Sequence, residues 1–302
     1  MLLSGFQTFD IDVESEAGSV RIHGSRAGDG PPLLLLHGFP QTHVMWHRVA
    51  PALAERYTVV ASDLRGYGDS GRPPAGDDHR GQSFRAMAAD QRALMARLGF
   101  ERFAVAGHDR GARVGHRLAL DHPAAVRRLA LLDILPTAYV YRHVDQRVAT
   151  AYFHWFFLIQ PFDLPEQLID SEPLLFLHRL LGGWGSGSSA HDPAAVAEYE
   201  RCFAEAGVRH AMIEDYRAAA SVDLEDDAAS EAAGVLLRAP TQVLWGARGL
   251  VGGGPEDPVE VWRSRAADPA LVQGQAIAGA GHFLAEERPA ETLAALQAFL
   301  AS

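Results

Sequence analysis

Short, nearly continuous apolar runs recur along the chain, separated by stretches in which apolar positions return with helical spacing. Pro32–Leu36, Tyr57–Ser62, Phe103–Gly107, Leu129–Leu132, Thr241–Trp245 and Val272–Ile277 read as strands. Continuous apolarity marks strands buried on both faces, as in a mostly parallel sheet covered by helices. Met87–Leu98, Ala112–Leu120 and Ala290–Leu300 supply such helices, and Phe6–Val13 with Ser19–His23 reads as an antiparallel hairpin. The alternation stops between about Pro136 and Leu237, where aromatics and helix formers dominate. This predicts an α/β core of residues 1–136 and 237–302 with a helical cap, residues 137–236, inserted in it. A Gly/Ser-rich run, Gly182–Ser189, is either a loop over a site or a plain surface connection.

With 302 residues, 48% of them apolar, the chain is long enough for one large core and an inserted lid. The formal net charge of −11 argues against a general nucleic-acid surface but leaves room for a local cluster of arginines. The single cysteine, Cys202, excludes an intramolecular disulfide framework and a multi-cysteine metal site, and reads as a buried inert thiol. Met1–Asp10 lacks the basic region and apolar run of a signal peptide, and no apolar stretch spans a bilayer, so the expectation is a soluble, cytoplasmic protein.

The chemistry concentrates at Gly107-His-Asp109-Arg110-Gly111, which follows an apolar run and opens a helix. The spacing is that of the nucleophile elbow G-x-S-x-G with Asp in place of Ser. Glycines allow the cramped turn, and the helix dipole favours an anion at its tip. A carboxylate suits attack on an sp³ carbon bearing a leaving group, giving an ester on the enzyme. An Asp that merely caps the helix is the plainer alternative.

Freeing such an ester needs a base. His282, in Gly279-Ala-Gly-His282-Phe283 after the last strand, is the candidate. Its acidic partner has two possible places. The segment after Thr241–Trp245 offers no carboxylate, whereas Asp133 ends the strand Leu129–Leu132; Glu256 and Asp257 are fallbacks. Asp133 is favoured, to orient the imidazole and stabilise its charged form. Arg110 and Arg113 lie three apart at the start of one helix and so face one side. Two guanidiniums beside an attacking carboxylate make sense if the substrate carries a carboxylate of its own. The alternative for them is ion pairing with surface acids such as Asp121.

These residues resemble fluoroacetate (haloacetate) dehalogenases of the α/β-hydrolase superfamily along nearly the whole chain. The matching motifs are His37-Gly-Phe-Pro-Gln-Thr-His-Val-Met-Trp46, Asp63-Leu-Arg-Gly-Tyr-Gly-Asp-Ser70, Gly107-His-Asp-Arg-Gly-Ala-Arg113, Leu132-Asp-Ile-Leu-Pro136, Tyr152-Phe-His-Trp155, Glu214-Asp-Tyr-Arg217 and Gly281-His-Phe283. The resemblance implies an α/β-hydrolase fold and dehalogenation of 2-haloacetates. It implies His154, Trp155 and Tyr216 as the residues that bind the departing halide, with Trp184 lining the same pocket. It also implies the backbone N–H groups of Phe39 and Arg110 as the oxyanion hole, no metal, flavin or nucleotide, and a homodimer.

Two rival functions follow from the same residues. An epoxide hydrolase shares the Asp nucleophile but uses two cap tyrosines; Tyr216 is one, and Tyr139, Tyr141 and Tyr152 are the pool for a second. A non-catalytic small-anion receptor would lack a triad member, and all three positions are filled. His37, His43, His47 and His116 read as packing or surface residues, Asp63–Ser70 as a scaffold loop, and His108 as either structural or a tuner of the nucleophile.

Overall fold

The computed structural model describes residues 2–184, 187–254 and 256–301. Eight strands form one sheet: β1 (Gln7–Ser15), β2 (Gly18–Ala27), β3 (Pro32–Leu36), β4 (Thr58–Ser62), β5 (Phe103–His108), β6 (Val126–Leu132), β7 (Thr241–Gly246) and β8 (Val272–Ile277), in the order β1-β2-β4-β3-β5-β6-β7-β8. The hairpin β1–β2 joins antiparallel, β2 also meets β4 antiparallel, and every other pairing is parallel. The apolar runs are the sheet's centre. Leu33–Leu36 are all fully buried, and each such side chain contributes roughly 1.5–3 kcal/mol. At the far edge, β8 exposes its middle, Gln273–Ala276, to solvent.

Helices α1 (Ala50–Ala54), α2 (Phe84–Arg97) and α3 (Arg110–Asp121) connect the first strands. Between β6 and β7 the chain is helical: α4 (Thr137–Arg142), α5 (Gln146–Ala151), α6 (Phe153–Leu158), α7 (Leu164–Ser171), α8 (Pro173–Gly183), α9 (Pro193–Phe203), α10 (Ala206–Ala219) and α11 (Val222–Ala232). Then follow α12 (Pro258–Arg263), α13 (Leu284–Glu287) and α14 (Pro289–Ala301). The Gly/Ser run is not one loop: Gly182 and Gly183 end α8, Ser188–Ala190 form a 3₁₀ turn, and Gly185 and Ser186 lie outside the described residues. Helix α2 starts at Phe84, earlier than the apolar spacing indicates, because the Ser83 hydroxyl caps it by accepting from the Ala86 N–H.

Helix α10 decides where the site forms. It is buried along most of its length and packs against α2, α6, α7 and α9. It thereby brings Asp215 and Tyr216 down onto the carboxyl ends of β3, β5 and β6, where open α/β sheets place their ligands. Among the described residues no helix is long and apolar enough to cross a membrane.

Candidate active site

Strand β5 ends in a turn at Asp109, whose backbone has φ +46° and ψ −116°. A non-glycine residue in such a region costs about 1–3 kcal/mol and persists only where its surroundings enforce it. Three glycines clear the space. A Cβ on Gly107 would strike the Gly111 carbonyl, one on Gly111 would strike the His37 carbonyl, and one on Gly38 would lie 2.5 Å from Asp109 Cβ. The plain capping role fails, because the Asp109 side chain makes no cap hydrogen bond to α3. Its Oδ2 instead accepts from the Phe39 N–H at 3.2 Å. Burial opposes the charge of Asp109, but the imidazoles of His282 and His108 and the guanidiniums of Arg113 and Arg110 outweigh it, and the pKa is lowered.

The base and its partner meet as expected: His282 Nδ1 lies 2.7 Å from Asp133 Oδ2. Asp133 has φ +54° and its Oδ1 accepts from the Gly246 N–H at 2.9 Å. Its carboxylate therefore reaches across to the end of β7, the place where the alternative acid was missing. Asp257 is occupied elsewhere, capping α12 through the Val259 N–H at 2.7 Å. Burial lowers the His282 pKa, yet the hydrogen bond and charge of Asp133, with the charge of Asp109, raise it overall.

His108 makes a structural bond as well as acting on Asp109. Its Nε2 donates to the His282 carbonyl at 2.8 Å, and burial lowers its pKa to about 3, so it is neutral. Glu287 holds the same loop from the other side, accepting from the N–H groups of Gly281 at 2.8 Å and Phe283 at 2.9 Å. His37 is also structural: Nε2 accepts from the Leu64 N–H at 3.0 Å while Nδ1 donates to the Gly38 carbonyl. Asp63, in the scaffold loop, accepts from the N–H groups of His43 at 2.8 Å and Asp69 at 3.1 Å.

The two arginines are both buried but are not equivalent. Neither pairs with Asp121, which binds Arg85 and Arg117. Arg110 is not the free fork that its spacing suggests: Nε donates to Asp215 Oδ2 at 2.8 Å, and Nη2 donates to Asp215 Oδ1 and to the Asp215 carbonyl. The Tyr67 hydroxyl donates to the same Oδ2 at 2.7 Å. The guanidinium is sandwiched between the rings of Tyr216 at 4.1 Å and Phe84 at 4.6 Å. Arg113 lies over Trp155 at 4.7 Å and gives Nη1 to the Leu135 carbonyl and the Thr137 hydroxyl, each at 2.9 Å. Arg110 Nη1 and Arg113 Nε, both buried, have no hydrogen-bond partner among the described residues.

An aromatic cluster continues from the Tyr216 and Trp155 rings that the guanidiniums touch. The His154 ring is stacked parallel to Phe39 at 6.1 Å and edge-on to Tyr216 at 5.5 Å, and Trp155 is 6.4 Å from Tyr216. Trp184 extends the cluster toward the base, 4.3 Å from His154 and 5.6 Å from His282. His154 Nδ1 and the Tyr216 hydroxyl are likewise buried without a partner among the described residues. Burial drives His154 to the neutral form and keeps Tyr216 protonated, so both remain hydrogen-bond donors. A cleft of about 1790 Å³ is lined by Trp184, Asp133 and His282 together with helical-segment residues such as Phe153, Phe176 and Leu181, while Asp109, Arg110 and Arg113 are not in its lining.

With this arrangement in view, the relatives fall into place. The family described as alpha/beta hydrolase fold matches residues 31–289. A fluoroacetate dehalogenase from a Burkholderia species is 45% identical over 300 residues, covering 99% of this chain and 95% of that protein. The chain belongs to the haloacetate dehalogenase family of the α/β-hydrolases. A soluble epoxide hydrolase from Corynebacterium sp. (strain C12) is 34% identical over 274 residues, covering 89% of this chain and 90% of that one. A solved structure of an alpha/beta hydrolase type from Nostoc sp PCC 7120 superposes with a TM-score of 0.93 at 53% identity, covering 99% of both chains.

Asp215, Tyr67, Phe84, Thr137 and Glu287, which contact these side chains, were not singled out in the sequence. Asp215 stood beside Tyr216 in a quoted motif, but no spacing rule links residue 215 to residue 110. Tyr67 sat in a segment read as scaffold. Of the rival's tyrosines, Tyr152 stacks on Trp155 at 5.3 Å and Tyr139 on His143 at 4.0 Å, while the Tyr141 hydroxyl is buried without a partner among the described residues.

Proposed function

We propose that this protein hydrolyses 2-haloacetates (fluoroacetate, chloroacetate and bromoacetate) to glycolate and halide through an ester on Asp109. The observation that carries the reading is a set of buried polar atoms around Asp109 that have no partner among the described residues: Arg110 Nη1, Arg113 Nε, His154 Nδ1 and the Tyr216 hydroxyl. Buried donors without partners cost free energy, and a bound haloacid would satisfy them.

Two carboxylates approaching each other repel by about 4 kcal/mol at 4 Å in a medium of effective dielectric near 20. Arg110 and Arg113 offset this by holding the substrate carboxylate. An Asp109 oxygen attacks the adjacent carbon as the carbon–halogen bond breaks, and the halide leaves with the bonding pair. His154, Trp155 and Tyr216 direct N–H and O–H groups at it, which matters most for fluoride, the poorest leaving group. His282 then takes a proton from water, and the hydroxide adds to the Asp109 carboxyl carbon. The Phe39 and Arg110 N–H groups hold the oxyanion; each such donor is worth about 10²–10³ in rate. Glycolate departs with the proton from His282, and Asp109 is regenerated. Overall, haloacetate and water give glycolate, halide and one proton.

A single turnover in heavy-oxygen water tests the covalent step. The label is expected in the Asp109 carboxylate, with the glycolate hydroxyl unlabelled; label entering that hydroxyl directly would remove the ester. A second reading, epoxide hydrolysis, is favoured by the protonated Tyr216 hydroxyl and by the Corynebacterium relative. Turnover of styrene oxide without halide release from chloroacetate would select it.

A further inference from the structure

Glu286 is fully buried in α13, four residues after His282, and takes no part in the chemistry above. Its carboxylate collects three donors from three parts of the chain. Gln41 Nε2 donates to Oε2, His191 Nδ1 lies 2.9 Å from the same oxygen, and the Tyr199 hydroxyl donates to Oε1 at 3.1 Å. Gln41 closes the turn that carries Phe39, its N–H donating to the Gly38 carbonyl at 2.9 Å. His191 and Tyr199 belong to the helical segment, at the entry to α9 and within it. Arg48 adds a second tie between the same parts, Nη1 donating to the Glu286 carbonyl at 2.6 Å and to the Ala190 carbonyl at 3.2 Å.

We propose that Glu286 is a positioning residue, a latch that fastens the helical segment over the site and holds the Phe39 turn and the His282 loop in register, with His191 as its protonatable half. The geometry of His191 carries the second part. Nδ1 faces the Glu286 carboxylate and Nε2 faces the Leu181 carbonyl at 3.3 Å, so both ring nitrogens meet acceptors. Only the imidazolium donates at both. The ring stands edge-on to Phe283 at 4.8 Å, next to His282 in sequence, and it lines the cleft. The charged and titratable groups facing the pair are Glu287, which adds to the field on His191, and Tyr199 and Arg48, which surround Glu286. Burial lowers the His191 pKa, but its bond to Glu286 raises it overall. The latch is therefore complete below the ordinary imidazole range and weakens as pH rises through the raised value.

The catalytic part rests on the haloacetate reading; the fastening does not. The test measures chloroacetate dechlorination and amide hydrogen exchange in wild type, Glu286→Gln, His191→Asn and Tyr199→Phe. Expected are a fall of about tenfold or more in kcat for Glu286→Gln with little change in KM, and an alkaline decline in kcat present in wild type and absent in His191→Asn. Exchange in residues 187–199 should quicken about tenfold in each variant. Unchanged exchange in the variants overturns the latch even if wild type releases no chloride, an outcome that by itself defeats only the haloacetate reading. Faster exchange with an unaltered kcat and pH profile in an active enzyme overturns the positioning role. If Glu286→Gln does not fold, His191→Asn and Tyr199→Phe decide the same points.

Discussion

Arg110 and Asp215 form a fully buried ion pair in which the carboxylate holds the Nε–Nη2 edge of the guanidinium and leaves Nη1 without a partner among the described residues. On the proposed function, Asp215 sets which edge of Arg110 is left for a substrate. Neutralising one partner of a buried pair leaves an uncompensated charge and costs about 3–5 kcal/mol. Asp215→Asn is expected to lower the melting temperature by several degrees and to raise KM for chloroacetate more than it lowers kcat. Calorimetry and steady-state halide release check this; an unchanged KM would mean that Arg110 is held in place without Asp215.

In the proposed mechanism His282 serves the second half of the reaction only. His282→Asn should still alkylate Asp109 but not hydrolyse the ester. Mixed with chloroacetate, the variant is expected to release about one chloride per site and to stop. Intact-mass measurement would then show one carboxymethyl group, mapped to Asp109 by peptide analysis. Asp109→Asn should show neither event, with turnover reduced by about 10⁴-fold or more.

Halide stabilisation is most needed where the leaving group is poorest. Tyr216→Phe removes one O–H donor and keeps the ring against Arg110. Loss of about 10²-fold in kcat is expected with fluoroacetate, and a smaller loss with bromoacetate. Equal losses for the two halogens would place Tyr216 outside the halide contact.

The raised pKa of His282 has opposite consequences for activity and stability. The proposed base must be neutral, so ester hydrolysis should climb with pH along a limb centred above the ordinary imidazole value of 6.5. The stabilising contribution of protonated His282 is complete below the unfolded pKa and is lost as pH rises through the folded one. Between these values activity rises while this contribution falls. Paired pH profiles of kcat and melting temperature, for wild type and His282→Asn, check both signs.

Legibility differed between kinds of contact. The strands β3 and β8 appear in the sequence with their observed limits, and β5 within one residue, because period and burial are local properties of the chain. Helix starts were less visible, as at Phe84, since a cap depends on one serine rather than on a pattern. Asp109, His282, Asp133, Arg110 and Arg113 could be picked out because turn chemistry and spacing confine them. The roles of His154, Trp155 and Tyr216 came through resemblance alone: aromatic residues in a helical segment ordinarily pack a core.

What the order of residues determined by itself is the parallel sheet, the Asp-bearing elbow and the placing of two cations, three positions apart, on the helix that the elbow opens. These follow from dihedral limits and helical geometry acting over a few residues. What only the folded chain decided is which charges meet. Asp215 reaches Arg110 across 105 positions, and Glu286 meets His191 across 95. Such pairs are selected by the packing of helices onto the sheet, where a buried charge must find a partner and no local pattern specifies which one.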